Sequence, residues 1–268
     1  MTAPKLAVDK LEVVYQRAIT ALQGISLTVA PGQIVGILGT NGAGKSTLLR
    51  AISGFHGIDD AEVTEGTVTF KERRIENGQP HANTKLGIAL VPEREKVFPN
   101  LTVAENLLVP VAARVSRPEQ RRREAQVYQF FPRLSDLRQR TAGLLSGGER
   151  QMLAIAGALV CRPELLLVDE LSLGLAPVIV DDIMGRLIEI RRELSLTMMI
   201  VEQSAAVALQ VIDYGYVLEN GRIVLDGDAT RLRDHPDIQE FYLGQSSGGT
   251  RRSYRTVKQY RRNRRWYG

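Results

Sequence analysis

Apolar and polar positions alternate along residues 6–14 and again along 25–29, the period of a half-buried strand, so the chain is expected to open with two β-strands. Ile34–Leu38 is apolar without a break, which suits a strand covered on both faces. Lys45–Ser53 reads as a helix ending near Gly54. Thr67–Phe70 and Ile88–Val91 read as short strands, the second stopped by Pro92. Thr102 with Glu105 forms a capping box opening a helix toward Val111, and Ser146 with Glu149 forms another whose helix runs to about Val160. Between them Pro118 starts an arginine- and glutamine-rich helix to about Phe130. Leu165–Val168 and Thr197–Val201 are strand-like, separated by a helix from Pro177 to about Glu193. Asp213–Leu218 and Arg222–Leu225 flank Asn220-Gly221, the signal of a type I′ hairpin, and short helices follow to about Leu243. Strands separated by helices predict an α/β chain with a largely parallel sheet. The block from about 95 to 160 lacks a convincing strand and is expected to be a helical insertion.

Composition adds limits. A length of 268 residues with 44% hydrophobic content supports one large domain or two small ones with a real core. No apolar run approaches the length of a membrane span, and the N-terminus lacks a basic-then-apolar leader pattern. The expectation is a cytosolic protein whose membrane role, if it has one, runs through a partner. The single cysteine, Cys161, forms no internal disulfide and reads as a small buried hydrophobe. Charge is uneven. Residues 246–268 hold eight Lys and Arg and no acid, so within a chain of net +5 the residues 1–245 net to −3. Gln245–Thr250 reads as a flexible linker to this basic tail, which also carries Tyr254, Tyr260, Trp266 and Tyr267.

Chemistry is concentrated in three motifs. Gly39-Thr40-Asn41-Gly42-Ala43-Gly44-Lys45-Ser46-Thr47 follows the apolar strand and fits G-x-x-x-x-G-K-[ST] at every fixed position. Glycines let successive backbone N–H groups curl around an anion, and the following helix aims its positive end at the same point. Lys45 suits β- and γ-phosphates, and the Ser46 hydroxyl suits Mg²⁺. Leu165–Val168 delivers Asp169 and Glu170 to the carboxyl end of a strand, where open α/β sheets bind ligands. Asp169 suits the magnesium shell, and Glu170 suits polarising water for in-line attack. Leu145-Ser146-Gly147-Gly148-Glu149 supplies a hydroxyl and amides at a helix N-terminus, 23 residues before Asp169.

In that order and spacing, the three motifs resemble those of ATP-binding-cassette ATPases, over residues ~6–244. The resemblance implies an α/β P-loop ATPase fold with an antiparallel β subdomain, a RecA-like core sheet and a helical insertion. It implies a cassette over 1–244, a helical subdomain at about 95–160, and a tail at 245–268. It also implies ATP and Mg²⁺ as ligands and a head-to-tail dimer of ATPase domains. Each ATP then lies between one domain's phosphate loop and the other's Ser146, Gly147, Gly148 and Glu149. Tyr15 matches the aromatic that stacks on adenine. The helical insertion and Pro92–Pro99 would carry motion to a membrane partner.

Val91–Pro99, Asp169–Pro177, Val201–Ser204 and Tyr216–Gly221 narrow the resemblance to the second ATPase subunit of branched-chain amino acid importers. Such systems pair two different ATPase subunits with two permeases and an extracytoplasmic binding protein, at the cytoplasmic face of the cell membrane. Urea and amide importers are close alternatives. A soluble cassette acting on nucleic acid or ribosomes is a further one, prompted by the tail and opposed by the lack of a second cassette or a long coiled coil. Four positions depart from the wider family. Glu93 stands for a glutamine near Mg²⁺ and water, and Gln203 for a switch histidine. Ala176 stands for an aspartate of the dimer-crossing loop, and Leu171 for the proline after Glu170. Gln203 can donate a hydrogen bond to γ-phosphate but does not titrate near neutrality.

Overall fold

The structure, a computed structural model, describes residues 3–93, 97–111 and 115–242. The basic tail and its linker lie outside the described residues. The chain runs β1 (Leu6–Tyr15), β2 (Ile19–Val29), β3 (Ile34–Leu38), α1 (Lys45–Ser53), β4 (Ala61–Phe70), β5 (Arg73–Arg74), α2 (Pro80–Lys85) and β6 (Ile88–Val91). It continues with α3 (Val103–Leu108), α4 (Arg117–Phe130), α5 (Pro132–Asp136), α6 (Gly147–Leu159), β7 (Leu165–Asp169) and α7 (Pro177–Leu194). β8 (Thr197–Glu202), α8 (Ala205–Ala208), β9 (Tyr214–Glu219), β10 (Arg222–Asp228) and α9 (Ala229–Asp234) complete it, before a short π-helical turn at Ile238–Tyr242.

Two sheets form. One is antiparallel, in the order β2-β1-β4-β5; the other runs β10-β9-β3-β8-β7-β6. In the second, β9, β3, β8, β7 and β6 pair in parallel, and only β10 runs antiparallel to its neighbour. Every residue of β3, β7 and β8 is buried, as their unbroken apolar runs require. Alternate side chains feed two cores. Ile34, Leu38, Val168 and Ile200 pack toward the helices α4 to α7. Val35, Ile37, Leu167 and Val201 pack toward α1 and the antiparallel sheet. At about 2 kcal/mol per fully buried aliphatic side chain, this double coverage fixes the central strands more firmly than any single contact.

The antiparallel strands are longer than their apolar pattern indicates. β2 starts at Ile19 rather than 25, and β4 at Ala61 rather than 67. Glu62 and Thr64 hold the solvent side of β4, whereas β2 opens with the exposed Ile19. β4 is also interrupted at Gly66 (φ +84°), opposite a bulge where Lys10 has φ +48°. A Cβ on Gly66 would stand 2.4 Å from the Lys10 carbonyl, so only glycine closes this bulge. The segment between β6 and β7 holds helices and, among the described residues, only an isolated Thr102–Thr141 bridge of strand type. Both capping boxes form, at Thr102 and at Ser146. Asn220 (φ +46°) and Gly221 (φ +74°) make the hairpin turn between β9 and β10. Cys161 is half-buried rather than buried, packed on the rim of the helical core.

Candidate nucleotide site

Sheet order explains how distant motifs meet. β3, β8, β7 and β6 are consecutive neighbours with a common direction. Their carboxyl ends therefore present, side by side, the loop Gly39–Ser46, then Glu202 and Gln203, then Asp169 and Glu170, then Glu93.

The loop's shape is set by glycines at places no other residue fits. Gly44 caps α1 with φ +105°, and a Cβ there would meet Leu22 at 2.7 Å. Gly39 lies so close to β9 that a Cβ would stand 2.4 Å from the Leu218 carbonyl. Lys45 is almost wholly buried, and its ammonium donates to the carbonyls of Gly39 at 2.9 Å and Thr40 at 3.1 Å. It also pairs with Glu170 Oε1 at 3.0 Å. Ser46 Oγ donates to Asp169 Oδ1 at 3.1 Å. Burial lifts the Asp169 carboxyl above its ordinary pKa; the Ser46 hydroxyl pulls it back, the Glu170 and Glu93 charges push it further up, and Lys45 opposes them.

Asn41, Gly42, Gly44, Lys45, Ser46 and Thr47 line one cleft, with Glu93 and Glu170 on its far wall. An adjoining cleft, sharing Glu170 and Leu173, brings in Thr40, Ser172, Glu202 and the exposed Gln203. Tyr15 stands beside the phosphate loop, its hydroxyl 3.2 Å from Thr47 Oγ1. Ala43 is buried beneath the loop and its carbonyl accepts the Gly221 N–H.

The other motif lies apart. Ser146, Gly148 and Glu149 do not line either of these clefts, and Gly147 lines a third one with Glu93, Leu173 and Leu175. Ser146 is an exposed N-cap: its Oγ accepts the Glu149 N–H at 3.3 Å, and Glu149 Oε2 accepts the Ser146 N–H at 2.9 Å. The Ser146 amide first, and then the Ser146 hydroxyl and the Arg133 guanidinium, hold the Glu149 carboxyl below its usual pKa against the opposing effect of burial. Gly148 is fixed by packing, since a Cβ would meet Ile179 of α7 at 2.6 Å.

One pair escaped the motif reading. Glu202, at the end of β8, is buried, and its carboxylate accepts the Ser172 hydroxyl at 2.6 Å and the Ser172 N–H at 3.0 Å. Burial raises its pKa, and these hydrogen bonds oppose the rise. The available signal was its phase: Glu202 continues the inward alternation of Met198 and Ile200, where an acid needs a partner.

A buried lysine and a crown of amides at a helix N-terminus, facing carboxylates on neighbouring strand ends, define a phosphate-loop nucleotide-binding domain. Residues 22–172 match the family model described as ABC transporter. The high-affinity branched-chain amino acid transport ATP-binding protein BraG of Pseudomonas aeruginosa is 39% identical over 239 residues, covering 89% of this chain and 99% of its own. The ADP conformation of MJ1267, an ATP-binding cassette of an ABC transporter, superposes with a TM-score of 0.79 at 29% identity, covering 91% of this chain and 100% of that one. MJ0796, a bacterial ABC transporter cassette solved as a dimer, gives 0.74 at 25% identity over 84% of this chain and 98% of its own. The chain belongs to the ABC transporter family and is an ATP-binding, ATP-hydrolysing subunit.

Proposed function

We propose that this chain powers import of branched-chain, hydrophobic amino acids through a membrane permease. The carrying observation is that Lys45, Ser46 and Glu170 line one cleft, with Asp169 hydrogen-bonded to Ser46 behind it, while Ser146 lies outside it on an exposed helix end. A chain built this way offers half of each of two nucleotide sites. The substrate class is supported by the near full-length similarity to BraG.

On this reading the amides of Gly39–Thr47 hold the phosphates, Lys45 neutralises β- and γ-oxygens, and Tyr15 stacks on adenine. Ser46, Asp169 and Glu93 offer the hard oxygen donors that suit Mg²⁺, which when bound supplies charge neutralisation of the triphosphate. Among the described residues no three His, Cys, Asp or Glu groups converge as a self-sufficient metal cage, which fits an ion that shares its shell with phosphate and water. Glu170 accepts a proton from water as its oxygen attacks the γ-phosphorus, and the bond to the β–γ bridging oxygen breaks to give ADP and phosphate. Gln203 donates a hydrogen bond to the γ-phosphate. Ser146, Gly147, Gly148 and Glu149 serve the γ-phosphate held by a sister ATPase. Two permease subunits and an extracytoplasmic binding protein complete the assembly, with this chain at the cytoplasmic face. No helix among the described residues is long and apolar enough to cross a membrane, which fits a peripheral role. Residues 1–244 form the cassette and 245–268 an appended tail.

The test is uptake of labelled leucine, valine and urea by cells carrying the wild-type chain or Glu170→Gln. Leucine and valine uptake that the variant abolishes supports the reading. Loss of urea uptake alone reassigns the substrate, and unchanged uptake of all three refutes the transport role.

A further inference from the structure

Glu202 is 1% exposed, deeper than Asp169 or Glu170, and takes no part in the chemistry described above. Its Oε1 accepts the Ser172 N–H at 3.0 Å and its Oε2 the Ser172 hydroxyl at 2.6 Å. One residue earlier on the same strand, the Val201 carbonyl accepts the Glu170 N–H at 3.0 Å. The amides of Glu170 and Ser172 are thus both taken by the last two residues of β8. Glu170 itself has φ +43°, a left-handed conformation that a non-glycine residue keeps only when its surroundings enforce it. Leu171 is wholly buried in the helical core and pins the turn from its other side.

We infer that Glu202 is a positioning residue for hydrolysis: it fixes the turn 170–172 in the conformation that holds the Glu170 carboxylate over the phosphate loop. The inference rests on the reading of Glu170 as the proton acceptor. Glu202 touches neither substrate phosphate nor attacking water in this role; it acts through Ser172. The carboxylate matches the turn because it offers one oxygen to the Ser172 amide and the other to the Ser172 hydroxyl, which an apolar side chain of the same size cannot do.

The test uses the full-length chain copurified with its native subunits. Glu202→Met leaves the Ser172 amide and hydroxyl without an acceptor, and turnover at saturating ATP falls by about tenfold or more. The KM for ATP stays within about threefold, because Lys45, Ser46 and the loop glycines lie on a different strand and helix. Glu202→Gln keeps an acceptor for the Ser172 amide and can donate to Ser172 Oγ, so its turnover recovers to within about threefold of wild type. The deciding measurement is the double variant. With Glu170→Gln already present, Glu202→Met lowers the residual turnover by less than about twofold, whereas a purely structural role costs the same factor in both backgrounds. Ser172→Ala covers the case in which Glu202→Met does not fold; its turnover falls about threefold at unchanged KM. Wild-type turnover in Glu202→Met, or in Ser172→Ala where the former fails to fold, overturns the inference, as does additivity in the cycle. Wild-type turnover in Glu170→Gln instead overturns the assignment of Glu170, which is a separate failure.

Discussion

Replacing Lys45 by methionine keeps the length of the side chain and removes its charge. The ammonium is 3.0 Å from Glu170, and the two side chains are 3% and 10% exposed. At an effective dielectric of about 20 their attraction is about 5 kcal/mol, most of it offset by the cost of drying both ions. The pair is therefore near break-even, and the damage comes from the carboxylate left behind. Burying one unpaired charge costs about 3–5 kcal/mol, and the residual exposure of Glu170 places the expected loss at the lower end, about 3 kcal/mol. Glu170→Gln leaves Lys45 with its carbonyl acceptors at 2.9 and 3.1 Å, so it costs only about 1 kcal/mol. Combining both changes removes both charges and costs about 1–2 kcal/mol, less than the sum of the single changes. The deficit of Lys45→Met also depends on pH. Asp169, whose pKa burial already raises, loses the opposing pull of Lys45. A carboxyl with a folded pKa above its unfolded one binds more protons in the native state, so stability falls as pH rises. The deficit is largest near pH ~8 and shrinks toward pH ~5. Urea unfolding by far-UV circular dichroism, with chelator and without nucleotide, measures both effects. Additive losses together with a pH-independent deficit refute the ion-pair account.

Other outcomes follow from the same geometry. Glu170→Gln lowers ATP turnover at least about a hundredfold while Gln203→Ala stays within about fivefold; a larger loss from the glutamine change contradicts the base assignment. Ser146→Arg cuts turnover of the assembled complex but leaves ATP affinity of the isolated chain unchanged by equilibrium dialysis, since Ser146 lies outside the phosphate cleft. Gly185→Ala stabilises the chain by about 0.5–1 kcal/mol, because Gly185 lies within α7 and a Cβ there meets nothing within 4 Å. Calorimetry that shows a lower Tm for that variant refutes it. The Glu149 pKa is lowered chiefly by the Ser146 amide, so its contribution is present above the unfolded carboxyl value and is lost as pH falls through the folded one. Glu149→Gln accordingly loses less stability than wild type on acidification below pH ~4.5 in the same unfolding assay.

What the sequence discloses depends on how locally the information is held. β3, β6, α1 and the Pro177 helix have their expected limits because glycine, proline and an unbroken apolar run punctuate them. The phosphate loop and Asp169 are legible for the same reason, since a few adjacent residues carry the whole chemical requirement. The early halves of β2 and β4 are not, because β2 opens with the exposed Ile19, polar residues hold the solvent side of β4 and the bulge at Gly66 breaks the alternation. α2, α5 and α8 are single-turn pieces whose few apolar residues show no period. The Glu202–Ser172 pair is hidden most deeply. Its members are 30 residues apart, and although the phase of Glu202 calls for a partner, nothing in the sequence near Ser172 names it as that partner. Only the pairing of β7 with β8 brings them within reach.

The helical insertion leaves the parallel sheet after β6 and returns through β7, and these two strands are adjacent, with β6 at the sheet's margin. Both attachment points therefore sit on one border, like the two pins of a door hinge. A rigid swing of the insertion about that border bears on the outermost ladder before it reaches β3, which leads into the phosphate loop. The same layout makes the insertion exchangeable: a different helical block of matching span can be grafted between Val91 and Leu165 with the hydrogen bonds of the central strands untouched.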